Sequence, residues 1–156
     1  MHKYIEVNIM KKLLSLALCV LLFVTCFAVS ANAEETVSSS VEHLADGSYF
    51  VTEMTETSSL ARTAKSGTKV ATYYTTDDVK VFAVKLTGYF DYTYGSSATA
   101  TNQSVSVVLY KDEASFITKS SRRSGATVYG SGTVSYLGRT TAKSLNLTCD
   151  IYGNLS

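Results

Sequence analysis

The chain has 156 residues, a formal net charge of +1, and neither proline nor tryptophan. Its 14 Lys and Arg nearly balance its 13 Asp and Glu, which excludes the dense basic face that grips nucleic acid. Three cysteines are too few for a small disulfide-stapled scaffold, so the fold must rest on packing.

Met10-Lys11-Lys12 is a short basic start, and Leu13 to Val29 is an apolar run without charge. Ser30-Ala31-Asn32-Ala33 then supplies small residues where a signal peptidase reads. This is the three-part pattern of a secretory signal, so residues 1–33 read as a signal peptide cleaved after Ala33, with Met10 as the start of translation. The apolar run approaches the length of a bilayer span. The A-x-A site and the polar sequence after it favour cleavage over a permanent membrane anchor, and the expected location is secreted, extracellular. Cys19 and Cys26 leave with the signal, and the residues before them fit a lipobox poorly. Cys149 then stands alone and cannot close an internal disulfide. It lies in an alternating apolar segment, which predicts a small buried hydrophobe rather than a reactive thiol, since that needs an electropositive, partly exposed site.

Removing residues 1–33 takes three Lys and one Glu from the totals, leaving 11 bases against 12 acids. These are unevenly spread. Glu34 to Glu56 holds six acids and no Lys or Arg, and the rest of the chain holds 11 bases and six acids. Glu34 to Gly47 has few apolar residues and no clear period, so residues 34–47 read as a flexible acidic leader. From Ser48 onward Thr, Val, Tyr and Ser dominate, and such residues suit pleated surfaces.

Period-2 alternation predicts strands over Tyr49–Thr55, Thr68–Thr75 (ended by an Asp77-Asp78 turn) and Val79–Tyr94. Ser58 to Lys65 has the composition of a short helical turn. Along Val79–Tyr94 one face carries Phe82, Val84, Leu86, Gly88, Phe90, Tyr92 and Tyr94 and should enter the core. The other carries Val81, Ala83, Lys85, Thr87, Tyr89, Asp91 and Thr93 and should meet solvent. Gly88 marks a bulge or a close approach between sheets. Gly95-Ser96 turns the chain into Ala98–Thr101 and Ser104–Tyr110, with an irregularity at Asn102-Gln103. Phe116–Ser121 follows and ends in the basic tip Arg122-Arg123-Ser124-Gly125. Thr127–Leu137 and Thr140–Ile151 read as a hairpin through Gly138-Arg139. Seven or eight short strands with regular turns predict an all-β fold, an antiparallel β-sandwich of immunoglobulin-like type, as a single domain over residues 48–156.

The chemistry of hydrolysis is thinly represented. His43 falls in the leader, where it is not held as a general base must be. No His/Cys cluster has zinc spacing, and Asp77-Asp78 and Asp112-Glu113 read as solvated turns rather than a calcium loop. There is no Gly-rich phosphate loop before a helix. The expectation is a non-enzymatic protein without metal or cofactor. The alternative is a small secreted hydrolase using carboxylates, for which Asp91 and Asp150 are the mid-sheet candidates.

Two surfaces remain as binding candidates. Tyr73 and Tyr74 straddle both faces of their strand, and Tyr89 lies opposite in parity to the core face beside Lys85. Exposed Tyr offers a rigid ring with a polar tip to a glycan or a peptide, though cross-strand packing would also account for these rings. Lys119, Arg122, Arg123, Arg139 and Lys143 form a second set, suited to polyanionic wall polymer or simply to keeping turns soluble. The site residues to follow are therefore Tyr73, Tyr74, Lys85, Tyr89, Arg122, Arg123 and Arg139. The expected partner is a cell-wall polymer or an extracellular glycan or protein.

The segments "DGSYFVTE", "ATYYTTDDVKVFAVKLTGYFDYTYGSSATAT", "SRRSGATVYGSGTV" and "LTCDIYGNLS" resemble a group of small secreted β-rich proteins of Gram-positive gut bacteria. Members of that group carry a TGxFxYxGxSATC segment and end in LTCxxxGxLS. The resemblance spans residues 46–156. It implies export and a β-rich fold and brings no activity with it. The chain departs at Ala100, where the group pattern has Cys. The resemblance thereby implies that a disulfide from that position to Cys149 is usual in the group and missing here.

Overall fold

The computed structural model describes residues 34–57 and 63–156; the segment read as a signal peptide and the greater part of Ser58–Lys65 lie outside them. The described residues are almost entirely strand: β1 (Glu34–His43), β2 (Tyr49–Thr57), β3 (Ala64–Tyr74), β4 (Lys80–Thr93), β5 (Ser97–Leu109), β6 (Ala114–Ser124), β7 (Thr127–Tyr136) and β8 (Arg139–Thr148). They form two antiparallel sheets, ordered β1-β2-β3-β4-β5 and β6-β7-β8, and the fold is an all-β sandwich. Every pairing joins consecutive strands, so each sheet is a meander. The expected immunoglobulin-like connectivity would interleave distant strands, and the strand order here does not.

The leader was expected to be flexible, yet residues 34–43 are strand β1, paired with β2 from Glu34↔Thr57 to His43↔Tyr49. Its side chains from Ser38 to His43 are exposed. A strand that contributes backbone hydrogen bonds to an edge, rather than side chains to a core, leaves no hydrophobic period to read.

The core lies between the sheets. Phe50, Tyr73 and Phe82 sit side by side on β2, β3 and β4 with ring centroids 5.2–6.0 Å apart. Val84, Leu86 and Phe90 continue that face against Val128, Val134, Leu145 and Leu147. Glycines bring the sheets together. A Cβ on Gly130 would stand 2.2 Å from Val105, and one on Gly132 would stand 2.7 Å from Val107. Gly88 is likewise a close approach, against Val128.

Along β4 the inward residues match the alternation up to Phe90. Tyr94 was expected inside and is 76% exposed, because β4 ends at Thr93 and the next three residues form the β4–β5 turn; its ring meets Tyr152 edge-on instead. Tyr92 packs against the core from its margin. Val81 and Ala83 were expected outside and are buried; Val81 is the extra residue where Tyr73 pairs with Phe82 and Tyr74 with Lys80, and parity does not carry across such an irregularity, whereas Ala83 keeps its outer parity and is a small side chain between Thr72 and Val108 of the neighbouring strands. The irregularity expected near Asn102 is a bulge at Thr101, since Phe90 pairs with Ala100 and Tyr89 with Asn102.

The chain ends in a clasp. Thr148 and Ser156 exchange both backbone hydrogen bonds, Cys149 bridges to Leu155, and both of those side chains are buried. Asp150 accepts bonds from the Tyr152 and Asn154 amides and from Asn154 Nδ2 at 2.8–2.9 Å. These bonds hold its carboxyl below the usual range.

Candidate functional site

Three turns meet at one end of the sandwich. The β1–β2 turn brings Asp46 and Ser48, the β3–β4 turn brings Thr75 and Asp77, and the β7–β8 turn brings Leu137 and Arg139. Tyr73 and Tyr136 contribute to the walls of the resulting cleft, whose volume is about 300 Å³. Asp46 Oδ1 accepts from the Ser48 hydroxyl at 2.5 Å and from its amide at 3.1 Å. Its Oδ2 lies 3.0 Å from Arg139 Nη1. The Ser48 bonds first, and Arg139 less strongly, hold the Asp46 carboxyl below its ordinary range, so a carboxylate and a guanidinium stand together at the cleft.

Leu137 is unusual here. It is 71% exposed and adopts φ = 48°, followed by Gly138 at 77°. Tyr136 pairs with Arg139, so Leu137-Gly138 is a two-residue hairpin loop with both residues left-handed. Such a loop favours Asn or Asp before Gly. A bulky branched side chain in that position is strained.

On the outer face of the same end, an aromatic row crosses the first three strands. His43 stands 5.6 Å from Tyr49, and Tyr49 stacks on Tyr74 at 5.1 Å with planes 10° apart. The Tyr49 hydroxyl donates to Asp78 Oδ1 at 2.9 Å, a bond that raises the phenol above its usual value. The row continues through Lys80, the cross-strand neighbour of Tyr74, whose Nζ lies 4.0 Å from the centre of the Tyr110 ring.

The residues singled out from sequence fall in three places. Tyr73 and Arg139 line the cleft, though Tyr73 is 8% exposed and its ring belongs to the core. Tyr74 belongs to the outer aromatic row. Lys85 and Tyr89 share the outer face of β4, four residues and about 13 Å apart along the strand, with Thr87 between them. Arg122 lies 4.0 Å over the Tyr129 ring, and Arg123 donates to the Thr101 carbonyl at 2.5 Å, from the opposite face of β6. The wider basic set is dispersed: Lys143 pairs with Glu42 and covers Phe50, and Arg139 pairs with Asp46.

The remaining sequence candidates lie outside the cleft. Asp91 is an exposed residue on the outer face of β4, and Asp150 closes the C-terminal turn. Cys149 is 1% exposed, and burial pushes its thiol up. Among the described residues no group of His, Cys, Asp and Glu is arranged to hold a metal ion.

Sequence reasoning missed Asp46, Tyr49, Tyr136 and Leu137. One signal was present: Leu137-Gly138 stands where a tight hairpin prefers Asn-Gly, and that mismatch marks the turn. Comparison with known protein families, curated proteins and solved structures finds no match for this chain.

Proposed function

We propose that this protein is an exported, non-catalytic binding module that recognises an extracellular glycan, such as a cell-wall polymer, through the turn end of its sandwich. Leu137 carries the reading. An exposed leucine held left-handed costs roughly 1–2 kcal/mol, and strain of this kind concentrates at ligand clamps and other functional sites. A side chain fixed at the lip of a polar cleft is placed to contact a ligand. The neighbouring groups suit a hydroxyl-rich one: Asp46 accepts, Arg139 donates, and Tyr136 offers a ring with a polar tip. The outer row of His43, Tyr49 and Tyr74 extends the aromatic surface beside the cleft. Binding rather than catalysis accords with a buried Cys149 and with an Asp150 committed to its turn.

The test is cosedimentation of residues 34–156 with isolated Gram-positive cell walls at low and high salt. Binding that persists in high salt and is lost in Arg139→Ala and Tyr136→Ala supports the cleft. Binding lost in salt and in the Arg122→Ala/Arg123→Ala double variant would transfer recognition to β6 and a polyanion. Absence of binding under all conditions would refute wall attachment.

A further inference from the structure

Arg122 was singled out in the sequence, and the turn-end cleft does not use it. It stands on the outer face of the three-stranded sheet. On β7 the residues Val128, Gly130 and Gly132 turn toward the other sheet, so Tyr129 and Ser131 face away from it. Strand pairing sets Arg122 and Asn146 on either side of Tyr129, and Ser120 and Ser144 on either side of Ser131. Two rows, Arg122-Tyr129-Asn146 and Ser120-Ser131-Ser144, thus lie side by side, roughly 7 Å apart along the strands. Arg122, Tyr129 and the three serines line a depression of about 320 Å³.

The charge on this sheet is one-sided. β6, β7 and β8 contain Lys119, Arg122, Arg123, Arg139 and Lys143 and no Asp or Glu. Arg139 and Lys143 pair with Asp46 and Glu42, Arg123 donates to the Thr101 carbonyl, and Lys119 lies opposite Gly132 on the inward side of its strand. Arg122 is exposed and forms no ion pair among the described residues. Its guanidinium carbon lies 4.0 Å from the centre of the Tyr129 ring. A cation–π contact of this kind restrains the long side chain and leaves its N–H donors to hold an oxyanion in a two-bond fork. The Ser120 and Ser131 hydroxyl oxygens are 2.8 Å apart; whichever donates, one hydroxyl proton remains for a ligand. We infer that this depression binds a tetrahedral oxyanion, a phosphate or a sulfate, between the Arg122 guanidinium and the Ser120–Ser131 hydroxyls. A carboxylate would be satisfied by the guanidinium fork alone. A tetrahedral anion has further oxygens outside the plane of the fork, and the hydroxyls meet these from the sheet surface. Ser144 and Asn146, at the far end of the two rows, are placed to bond the group that carries an esterified anion. The site is separate from the turn-end cleft and does not depend on it.

Residues 32–156 form one compact unit with its own core, so the test uses isotope-labelled residues 34–156 at low salt. Inorganic phosphate, inorganic sulfate, glycerol phosphate and acetate are titrated in turn, and backbone amide shifts are followed by NMR. Phosphate and sulfate should give saturable shifts centred on Ser120, Tyr129 and Ser131, and acetate should not. Tighter binding of glycerol phosphate than of inorganic phosphate would assign the site to esters, and equal or weaker binding to the free anion. Arg122→Ala should weaken phosphate binding about tenfold or more, the worth of a charge-assisted hydrogen bond. Arg122→Lys keeps the charge without the fork and should lose several-fold. Arg123→Ala, on the opposite face of the strand, should bind as the wild type does. Absence of saturable shifts, acetate binding as tightly as phosphate, or undiminished phosphate binding in Arg122→Ala or Arg122→Lys would overturn the proposal.

Discussion

Replacing Leu137 by Asn separates strain from packing. Leu137 is largely solvent-exposed, so truncating it removes little buried surface, and its φ of 48° is a conformation that Asn tolerates and leucine does not. The left-handed cost relieved is roughly 1–2 kcal/mol, and the little packing that the leucine provides at the lip offsets part of it. Leu137→Asn should therefore raise stability by about 1 kcal/mol. With a urea dependence of roughly 1–3 kcal/mol per molar, the midpoint moves up by about half a molar. Leu137→Gly is the control: it relieves the same strain but gains freedom in the unfolded chain worth about 0.5–1 kcal/mol, so it should fall near the wild type. If Leu137 contacts the wall polymer as proposed, the Asn variant should at the same time lose wall binding. An Asn variant less stable than the wild type would refute the strain argument. A stabilised variant that binds walls unchanged would refute the functional one.

The thiol of Cys149 is buried and raised in pKa by that burial; a disulfide-exchange reagent should leave it unmodified in the folded protein and titrate one thiol in residues 34–156 once urea has unfolded it. Ala100 and Cys149 are both buried and donate their amides to consecutive residues, Gly125 and Ala126; Ala100→Cys should therefore oxidise in air to an internal disulfide, and closing a loop of about 50 residues predicts roughly 4 kcal/mol of stabilisation in non-reducing urea melts, whereas two free thiols would show that the side chains do not meet. Asp46 and Asp150 are both held below the ordinary carboxyl value of 3.8, so the stability they contribute is complete above that value and lost as pH falls through their folded-state values. Asp150→Asn should flatten acid unfolding in this range, and an unchanged acid limb would count against the clasp.

The central strands were readable because they obey one rule. Phe82, Val84, Leu86 and Phe90 alternate and are buried together, and Leu145 and Leu147 do the same from the other sheet. The edges were not readable in this way. β1 is held by backbone pairing and β6 is exposed on both faces, so neither carries the alternation that burial imposes. Parity also failed at Val81, where the register slips, while the irregularity expected at Asn102-Gln103 is a bulge one residue earlier, at Thr101. The cleft was hardest to foresee. Asp46, Thr75 and Arg139 come from turns separated by tens of residues, and only the meander brings them to one end. Leu137 was missed for another reason: the hairpin was expected to turn through Gly138-Arg139, one residue late, which placed the leucine at a strand end, whereas Tyr136 pairs with Arg139 and Leu137-Gly138 is the loop.

The two ends of the sandwich are built differently. At one end the closing LTCDIYGNLS segment is accounted for by packing: Cys149 and Leu155 are buried, Asp150 organises the turn, and Gly153, with φ = 83°, leaves the room that the Tyr92 ring fills. The closing segment is therefore a structural lock, and the backbone bonds from Ala100, Cys149 and Gly95 to neighbouring segments strengthen the same end. The opposite end does the reverse. It leaves a leucine strained and exposed, holds a carboxylate and a guanidinium at the surface, and stacks aromatic rings on the outer face of its sheet. Binding residues are commonly carried on turns that a rigid scaffold positions, and selection tolerates a destabilised site as long as the rest of the domain keeps it above threshold. A clasp that fixes one end of a meander leaves the other end free to carry such a cost, and the strained Leu137 stands at the end opposite the clasp.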